Sequence, residues 1–229
     1  MTDAFAAAPR PRLPVAGREV AVPVNRIFCV GRNYNAHAKE MGAEVERDAP
    51  FYFTKSLSAV HLGGDVPFPS GTDEYHHEFE LVLVVGRHGS RVPEVDALDI
   101  VYGWCAGLDM TRRDLQSRAK ERRLPWDTAK DVEAGCILAP LVPTSAWTLE
   151  NQRIHLTVND ETRQDATLGE LIWSVPEIIA HLSTLYTLAP GDVIMTGTPA
   201  GVGAVQPGDV LKGQIDGLPS LGARMGPRP

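Results

Sequence analysis

The sequence predicts an α+β protein dominated by strand, folded as a β-sandwich or rolled barrel with a few short helices. Three observations carry this. Short apolar runs of strand length recur along the chain, at residues 27–30, 51–54, 78–86, 101–108, 154–158 and 193–196 among others. Turn clusters punctuate them: Asn159-Asp160, Pro190-Gly191-Asp192 and Pro207-Gly208-Asp209. Helical patterns number only two or three and do not alternate with strands, as a doubly wound sheet requires.

Residues 1–18, rich in Ala, Pro and Arg, read as an N-terminal extension, and residues 19–229 as a single domain. The 27–30 strand stops at Gly31, and residues 35–41 form a helix capped by Gly42. The charged stretch 43–50 ends in Pro50 and reads as a loop, followed by the 51–54 strand. After the 78–86 and 101–108 strands, a helix is predicted from Asp109 through Arg122, broken by Pro125-Trp126. Lys130 falls in a short irregular stretch before an extended segment at 137–142. Residues 154–158 enter a hairpin at Asn159-Asp160, and 168–185 read as an amphipathic helix with Pro176 as an irregularity or a second start. A strand at 193–196 leads into the glycine-rich loop 197–203, and short strands near Val210 and Leu221 close the chain.

The chain has 43% hydrophobic residues and a net charge of −7, long and apolar enough for a substantial core. The acidic balance argues against nucleic acid, because phosphate binding needs a basic face. The short basic stretches Arg112-Arg113 and 120–123 read first as solvated helix faces and second as contacts for a small anionic substrate. No run approaches the roughly 18 apolar residues of a membrane span. The N-terminus carries Asp3 and lacks a basic, then apolar, secretory leader. Cys29, Cys105 and Cys136 show no zinc-like spacing and read as buried thiols of a cytoplasmic protein.

Glu78 and Glu80 open an apolar strand, so alternation places both carboxylates side by side on one face. Two anions at the edge of a dry interior repel and are poorly solvated. A hard cation with oxygen ligands, Mg²⁺, Mn²⁺ or Ca²⁺, relieves both problems. The ordinary alternative is an edge strand with one wet face. Asp109, at a strand-to-helix junction, is the candidate third ligand or else a helix N-cap. Asp114 and Asp127 look more like surface helix residues. His37 and Glu40 lie three apart on a helical turn, which suits a carboxylate-steered general base or a surface ion pair. Arg32-Asn33-Tyr34 adds a polar cluster after a buried strand. Lys130 offers a positive charge to an anionic substrate or intermediate, or is simply exposed. Arg113 and Gln116 share a helix face. Thr196, Thr198 and the glycine loop can offer donors to a carboxylate, or form only a tight turn. The loop lacks the Lys-Ser/Thr ending of a P-loop.

Five ordered segments make the chain resemble the fumarylacetoacetate hydrolase family from about residue 20 onward. They are residues 31–42 (GRNYNAHAKEMG), 78–81 (EFEL), 107–116 (GLDMTRRDLQ), Pro125-Trp126 with Lys130, and 196–203 (TGTPAGVG). The resemblance implies a mixed β-sandwich roll like the family's C-terminal domain, a single catalytic domain over 19–229, and a homodimer. It implies Mg²⁺ or Mn²⁺ held by Glu78, Glu80 and Asp109, a water-activating dyad of His37 and Glu40, and a lid over 43–50. Arg32, Arg113, Gln116 and Thr198 would contact substrate, and Lys130 would assist catalysis. Two positions depart from the pattern: Val30 stands near where larger members carry a further aspartate ligand, and Ser56 follows Lys55 where many members have Pro.

Residues 109–116, 171–175 and 201–209 look most like members that hydrolyse a C–C bond of a 2,4-dioxo acid, fumarylpyruvate of the gentisate route, to fumarate and pyruvate. Rival readings on the same scaffold are an acylpyruvase, an oxaloacetate decarboxylase and a 2-hydroxyhepta-diene-dioate isomerase. A non-catalytic metal- or keto-acid-binding protein is the rival from another class, and the His37/Glu40 pair argues against it.

Overall fold

The computed structural model describes residues 4–6, 8–40 and 47–229. Curled β-sheets dominate, and an eight-stranded mixed sheet forms the spine. Its order is Phe51–Lys55, Ile27–Gly31, Val193–Met195, Phe79–Val85, Val101–Asp109, Cys136–Leu138 and Val60–His61, with Val142–Pro143 also pairing with Val101–Asp109. A five-stranded sheet runs Glu161–Thr167, Arg153–Val158, Val210–Ile215, Leu221–Met225 and Gly64–Val66. Small sheets add Thr111–Arg112, Tyr75–His77 and Gly203–Ala204, and Arg12–Pro14 with Ala21–Pro23. The arrangement is the mixed β roll that the sequence predicts.

The Phe79–Val85 strand lies mid-sheet with all seven residues buried, which removes the edge-strand alternative for its acidic start. Phe79 seals the two large sheets: a Cβ on Gly213 of the second sheet would lie 2.2 Å from the Phe79 ring. Only glycine allows that approach. The Asn159-Asp160 hairpin is a two-residue turn with φ of 52° and 63°, the left-handed pair that matches strand twist.

Several elements differ from expectation. Of the residues assigned to the extension, Arg12–Pro14 pair with Ala21–Pro23 and Val15 bridges to Leu141, which buries Leu13 and Val15 in the core. The helix expected from Asp109 begins at Arg113, because Val101–Asp109 continues as strand and Thr111–Arg112 pairs with Tyr75–His77. The stretch around Lys130 is a single helical turn, Asp127–Lys130. The long 168–185 helix is a 3₁₀ turn, Leu168–Glu170, followed by the helix Val175–Leu185. Ser174 caps that helix in a reciprocal box with Glu177, and Pro176 sits in its first turn, so the proline marks a start. The Gly42 cap lies outside the described residues, as do residues 43–46 of the expected lid; Arg47, midway along it, pairs with Glu177 at 2.6 Å. The three cysteines are free and buried. Among the described residues no helix is long and apolar enough to cross a membrane.

Candidate active site

Backbone pairing assembles the acidic trio. Asp109 N–H donates to Glu78 O at 2.8 Å, and Glu80 faces Gly107 two steps along the ladder, past the Phe79/Leu108 pair. The three carboxylates therefore share one face of adjacent strands. A Cβ at Gly107 would come within 2.6 Å of Val82, so the glycine keeps that face open. Carboxylate oxygens of Glu78, Glu80 and Asp109 lie within 4.8 Å of one another, in residues only 5%, 2% and 0% exposed. Asp109 is a strand residue; the helix N-cap is Arg112, so the capping alternative falls.

Three buried cations meet this charge. Lys130 Nζ lies 2.7 Å from Glu78 Oε2, 2.6 Å from Asp109 Oδ2 and 2.8 Å from Thr111 Oγ1. Arg113 Nη2 donates to Glu78 Oε1 at 2.5 Å, and its Nη1 to Gln116 Oε1 at 2.5 Å. Lys55 Nζ approaches Asp109 Oδ1 at 2.7 Å, outside hydrogen-bond alignment, and donates to the carbonyls of Met110 and Lys130. Asp109 Oδ1 is thus a buried oxygen with no hydrogen-bond donor.

Compensation across the trio is uneven. Burial pushes the Glu78 carboxyl up, but Lys130 and Arg113 outweigh it and hold the group well below the usual range. Glu80 touches no cation among the described residues, and its Oε2 accepts only the Gly197 N–H, at 2.7 Å. Burial, then Asp109 and Glu78, drive its pKa well up. A carboxylate that stays ionised there needs a further cation beside it. The donor set is all oxygen, which suits a hard divalent ion, and Asp109 Oδ1 accepts no aligned hydrogen bond among the described residues, although Lys55 lies beside it. The site therefore fits Mg²⁺ or Mn²⁺.

His37, in the helix Asn35–Glu40, lines a narrow cleft with Gly31, Arg32, Phe53, Glu78, Arg113, Gln116, Lys120, Trp126 and Lys130. Its Nδ1 lies 3.3 Å from Glu40 Oε2. Placing the proton on Nδ1 leaves Nε2 with a lone pair. Burial holds the imidazole pKa below the usual 6.5, against the raising effects of Glu78 and Glu40, so the ring is neutral near pH 7. The Glu40 carboxylate in turn accepts from Gly201 N–H at 3.2 Å. Gly201 has φ of +93°, and a Cβ there would strike the Arg163 carbonyl.

The glycine loop thus spends its N–H groups on the protein's own acids, Gly197 on Glu80 and Gly201 on Glu40. Thr196 and Thr198 are likewise engaged inside, donating to Leu81 O and Phe79 O at 2.9 Å. Asn33 is a weld: its amide binds the carbonyls of Trp173 and Thr196 and accepts from Trp173 N–H. Arg32 is exposed at the cleft mouth. Lys130 is buried rather than exposed. Sequence reasoning missed Lys55 and Thr111, and weighed Lys120 only within the basic stretch 120–123, with a substrate contact as its second reading. Lys120 carries a signal, since positions 113, 116 and 120 recur on one helix face. Ser56, in place of the frequent proline, donates through N–H and Oγ to Asp131 at 2.8 Å, which ties the Lys55 strand end to the turn that bears Lys130.

The profile described as fumarylacetoacetate (FAA) hydrolase C-terminal matches residues 26–225. The chain belongs to the fumarylacetoacetate hydrolase family. A fumarylpyruvate hydrolase from Ralstonia sp is 47% identical over 190 residues, 82% of this chain and 99% of that protein. The mitochondrial oxaloacetate tautomerase FAHD1 of Arabidopsis thaliana is 40% identical over 84% of this chain and 87% of its own length. A crystal structure of fumarylpyruvate hydrolase from Pseudomonas aeruginosa, in complex with Mn²⁺ and pyruvate, superposes with a TM-score of 0.96 at 41% identity, covering 99% of this chain and 100% of that one.

Two outcomes check this geometry. Glu80→Gln removes one ligand but also the uncompensated acid, so the metal-free variant should melt no lower than the metal-free parent. Its calorimetric Mn²⁺ affinity should fall by about 100-fold or more, and with it the thermal stabilisation that ligand binding confers. Parent-like Mn²⁺ affinity in the variant would remove Glu80 from the ligand set. The acidic limb of kcat/KM should have its midpoint below pH 6.5, because a depressed His37 pKa keeps the base form until more acid is added. His37→Ala should abolish that limb and lower turnover by about 10²–10⁴-fold; an unchanged profile would exclude His37 as the base.

Proposed function

We propose that the protein is a divalent-metal-dependent hydrolase that cleaves the C–C bond of a 2,4-dioxo acid, fumarylpyruvate, to fumarate and pyruvate. The observation that carries this is a cation-demanding acid trio whose first member, Glu78, lines one cleft with a neutral, carboxylate-steered histidine. The likeness to the Ralstonia and Pseudomonas fumarylpyruvate hydrolases supports the choice of substrate.

Glu78, Glu80 and Asp109 would hold Mg²⁺ or Mn²⁺. When bound, the ion acts as a Lewis acid on the α-keto acid end and stabilises charge as the bond breaks. His37 Nε2 takes a proton from a water that adds to the distal carbonyl, and Glu40 stabilises the resulting imidazolium. Arg113 and Gln116 line the same cleft as donors for the tetrahedral oxyanion, and Lys130, whose three protons are held by Glu78, Asp109 and Thr111, adds its positive charge. Collapse expels the three-carbon fragment as an enolate, which regains the proton from the imidazolium. Thr198, already donating to Phe79 O and accepting from Gln164, keeps one lone pair but no free proton, so its role is as an acceptor or a wall.

A second reading is oxaloacetate tautomerisation, since a neutral histidine beside a cation site also moves a proton at carbon next to a carbonyl with no water attack. The FAHD1 relatives favour it. A homodimer fits either reading: Phe51, Leu124 and Tyr186 remain 45%, 54% and 44% exposed around a cavity of about 430 Å³ adjoining Lys130, a surface for a second copy to cover. The free, buried thiols suit a cytoplasmic location.

With Mg²⁺ or Mn²⁺, loss of fumarylpyruvate absorbance should proceed with kcat/KM at least about tenfold above any conversion of oxaloacetate; the reverse order would replace hydrolysis by tautomerisation. Light scattering should return twice the 24.9 kDa chain mass, and a single-chain mass would remove the dimer.

A further inference from the structure

Two cations in the cleft have no part in the mechanism above. Lys120 lies one helical turn beyond Gln116, on the face shared with Arg113, and lines the cleft. Arg32 approaches from the other side, just after the Ile27–Gly31 strand, with φ of +59°. That left-handed conformation is uncommon for a long side chain and turns the chain out of the sheet at the cleft. Neither side chain makes an ion pair among the described residues. Both lie against one ring instead: Lys120 Nζ is 5.4 Å and the Arg32 guanidinium 5.6 Å from the centroid of half-buried Trp126.

Such a grouping is unfavourable unless an anion joins it. Partial burial, then Arg113 and Arg32, push the Lys120 ammonium down to about 8, which still leaves it charged near neutral pH. The inner site cannot supply the anion. Its three carboxylates are matched in number by Lys55, Lys130 and Arg113, which pair with Glu78 and Asp109, and a divalent ion adds two further positive charges. One carboxylate and one developing oxyanion at the keto end of a substrate neutralise that addition, and the charges of Arg32 and Lys120 remain over. Trp126 supplies a flat face beside them, suited to a conjugated chain.

We propose that Arg32 and Lys120, ranged on Trp126, bind the second carboxylate of a dianionic substrate, at the far end of its acyl chain. They would set a preference for dicarboxylic over monocarboxylic dioxo acids. This rests on the proposed function for which end of the substrate meets the acid trio, so the test avoids turnover.

The Mn²⁺-loaded protein is titrated calorimetrically with fumarate and with crotonate, which carries a methyl group in place of one carboxylate. Fumarate should bind at least about tenfold more tightly, as charge-assisted hydrogen bonds to one carboxylate imply. Arg32→Met and Lys120→Met should each cut fumarate affinity by about fivefold or more and leave crotonate within about twofold, while Lys120→Arg keeps most of the preference. Equal affinity of the parent for both acids, or a preference that survives in both Met variants, would overturn the proposal. Parallel loss of both ligands would also overturn it, by marking a structural role. Failure to cleave fumarylpyruvate would strike the proposed reaction alone and leave this measurement standing.

Discussion

The structure is organised around the burial of three carboxylates within one small volume. Two like charges 4 Å apart repel by about 4 kcal/mol at the effective dielectric of a protein site, comparable to much of a domain's net stability. Lys55, Lys130 and Arg113 offset Glu78 and Asp109 at close range and leave Glu80 with a single backbone donor. Glu78 and Asp109 each meet two of these cations, so no single replacement leaves either carboxylate bare. The imbalance at Glu80 is what a divalent ion corrects, so affinity for the metal is built into the packing of the strands.

The glycine-rich loop explains why metal site and base cannot drift apart. Gly197 N–H holds Glu80, and four residues on Gly201 N–H holds Glu40, so one loop fixes a ligand and the partner of the histidine together. Positive φ at both glycines aims these groups, and the near contact of Gly201 with the Arg163 carbonyl locks the loop to the second sheet. Gln164 extends that lock: its amide reaches Thr198 and Pro199, and its carbonyl accepts from Phe79 N–H at the head of the acidic strand. Coupling across the sheets thus runs through hydrogen bonds to backbone, which are less tolerant of displacement than apolar packing.

What the sequence made legible was local. The strands at Ile27–Gly31 and Phe79–Val85, the Asn159-Asp160 hairpin and the Glu78/Glu80 alternation all rest on periodicity or turn chemistry a few residues long. The misread features depend on distant partners. Thr111–Arg112 is drawn into a strand by Tyr75–His77, which delays the helix expected from Asp109. Leu13 is buried because Arg12–Pro14 pairs with Ala21–Pro23 and Val15 bridges to Leu141. Lys55 looked like an unremarkable strand end, and only the fold brings it 2.7 Å from Asp109, 54 positions away. A lysine's neighbourhood is invisible to a pattern, and its burial is decided by the carboxylate it meets.

The relatives of this chain include a hydrolase and tautomerases, and the inner site alone does not separate those reactions. A cation beside a neutral histidine serves either: water addition and proton transfer at carbon draw on the same charge stabilisation. The distinction must lie farther out, where the substrate's remaining atoms are read. Oxaloacetate is short, with both carboxylates near the reacting carbons, whereas a fumarylpyruvate-like acid carries its second carboxylate across an unsaturated chain. Under the proposed role of Arg32 and Lys120, a cleft mouth with two cations that make no ion pair among the described residues, set against an indole, would favour the longer dianion. Remote binding energy of this kind would then orient the distal carbonyl toward His37, a contribution that an acid too short to span the cleft forgoes.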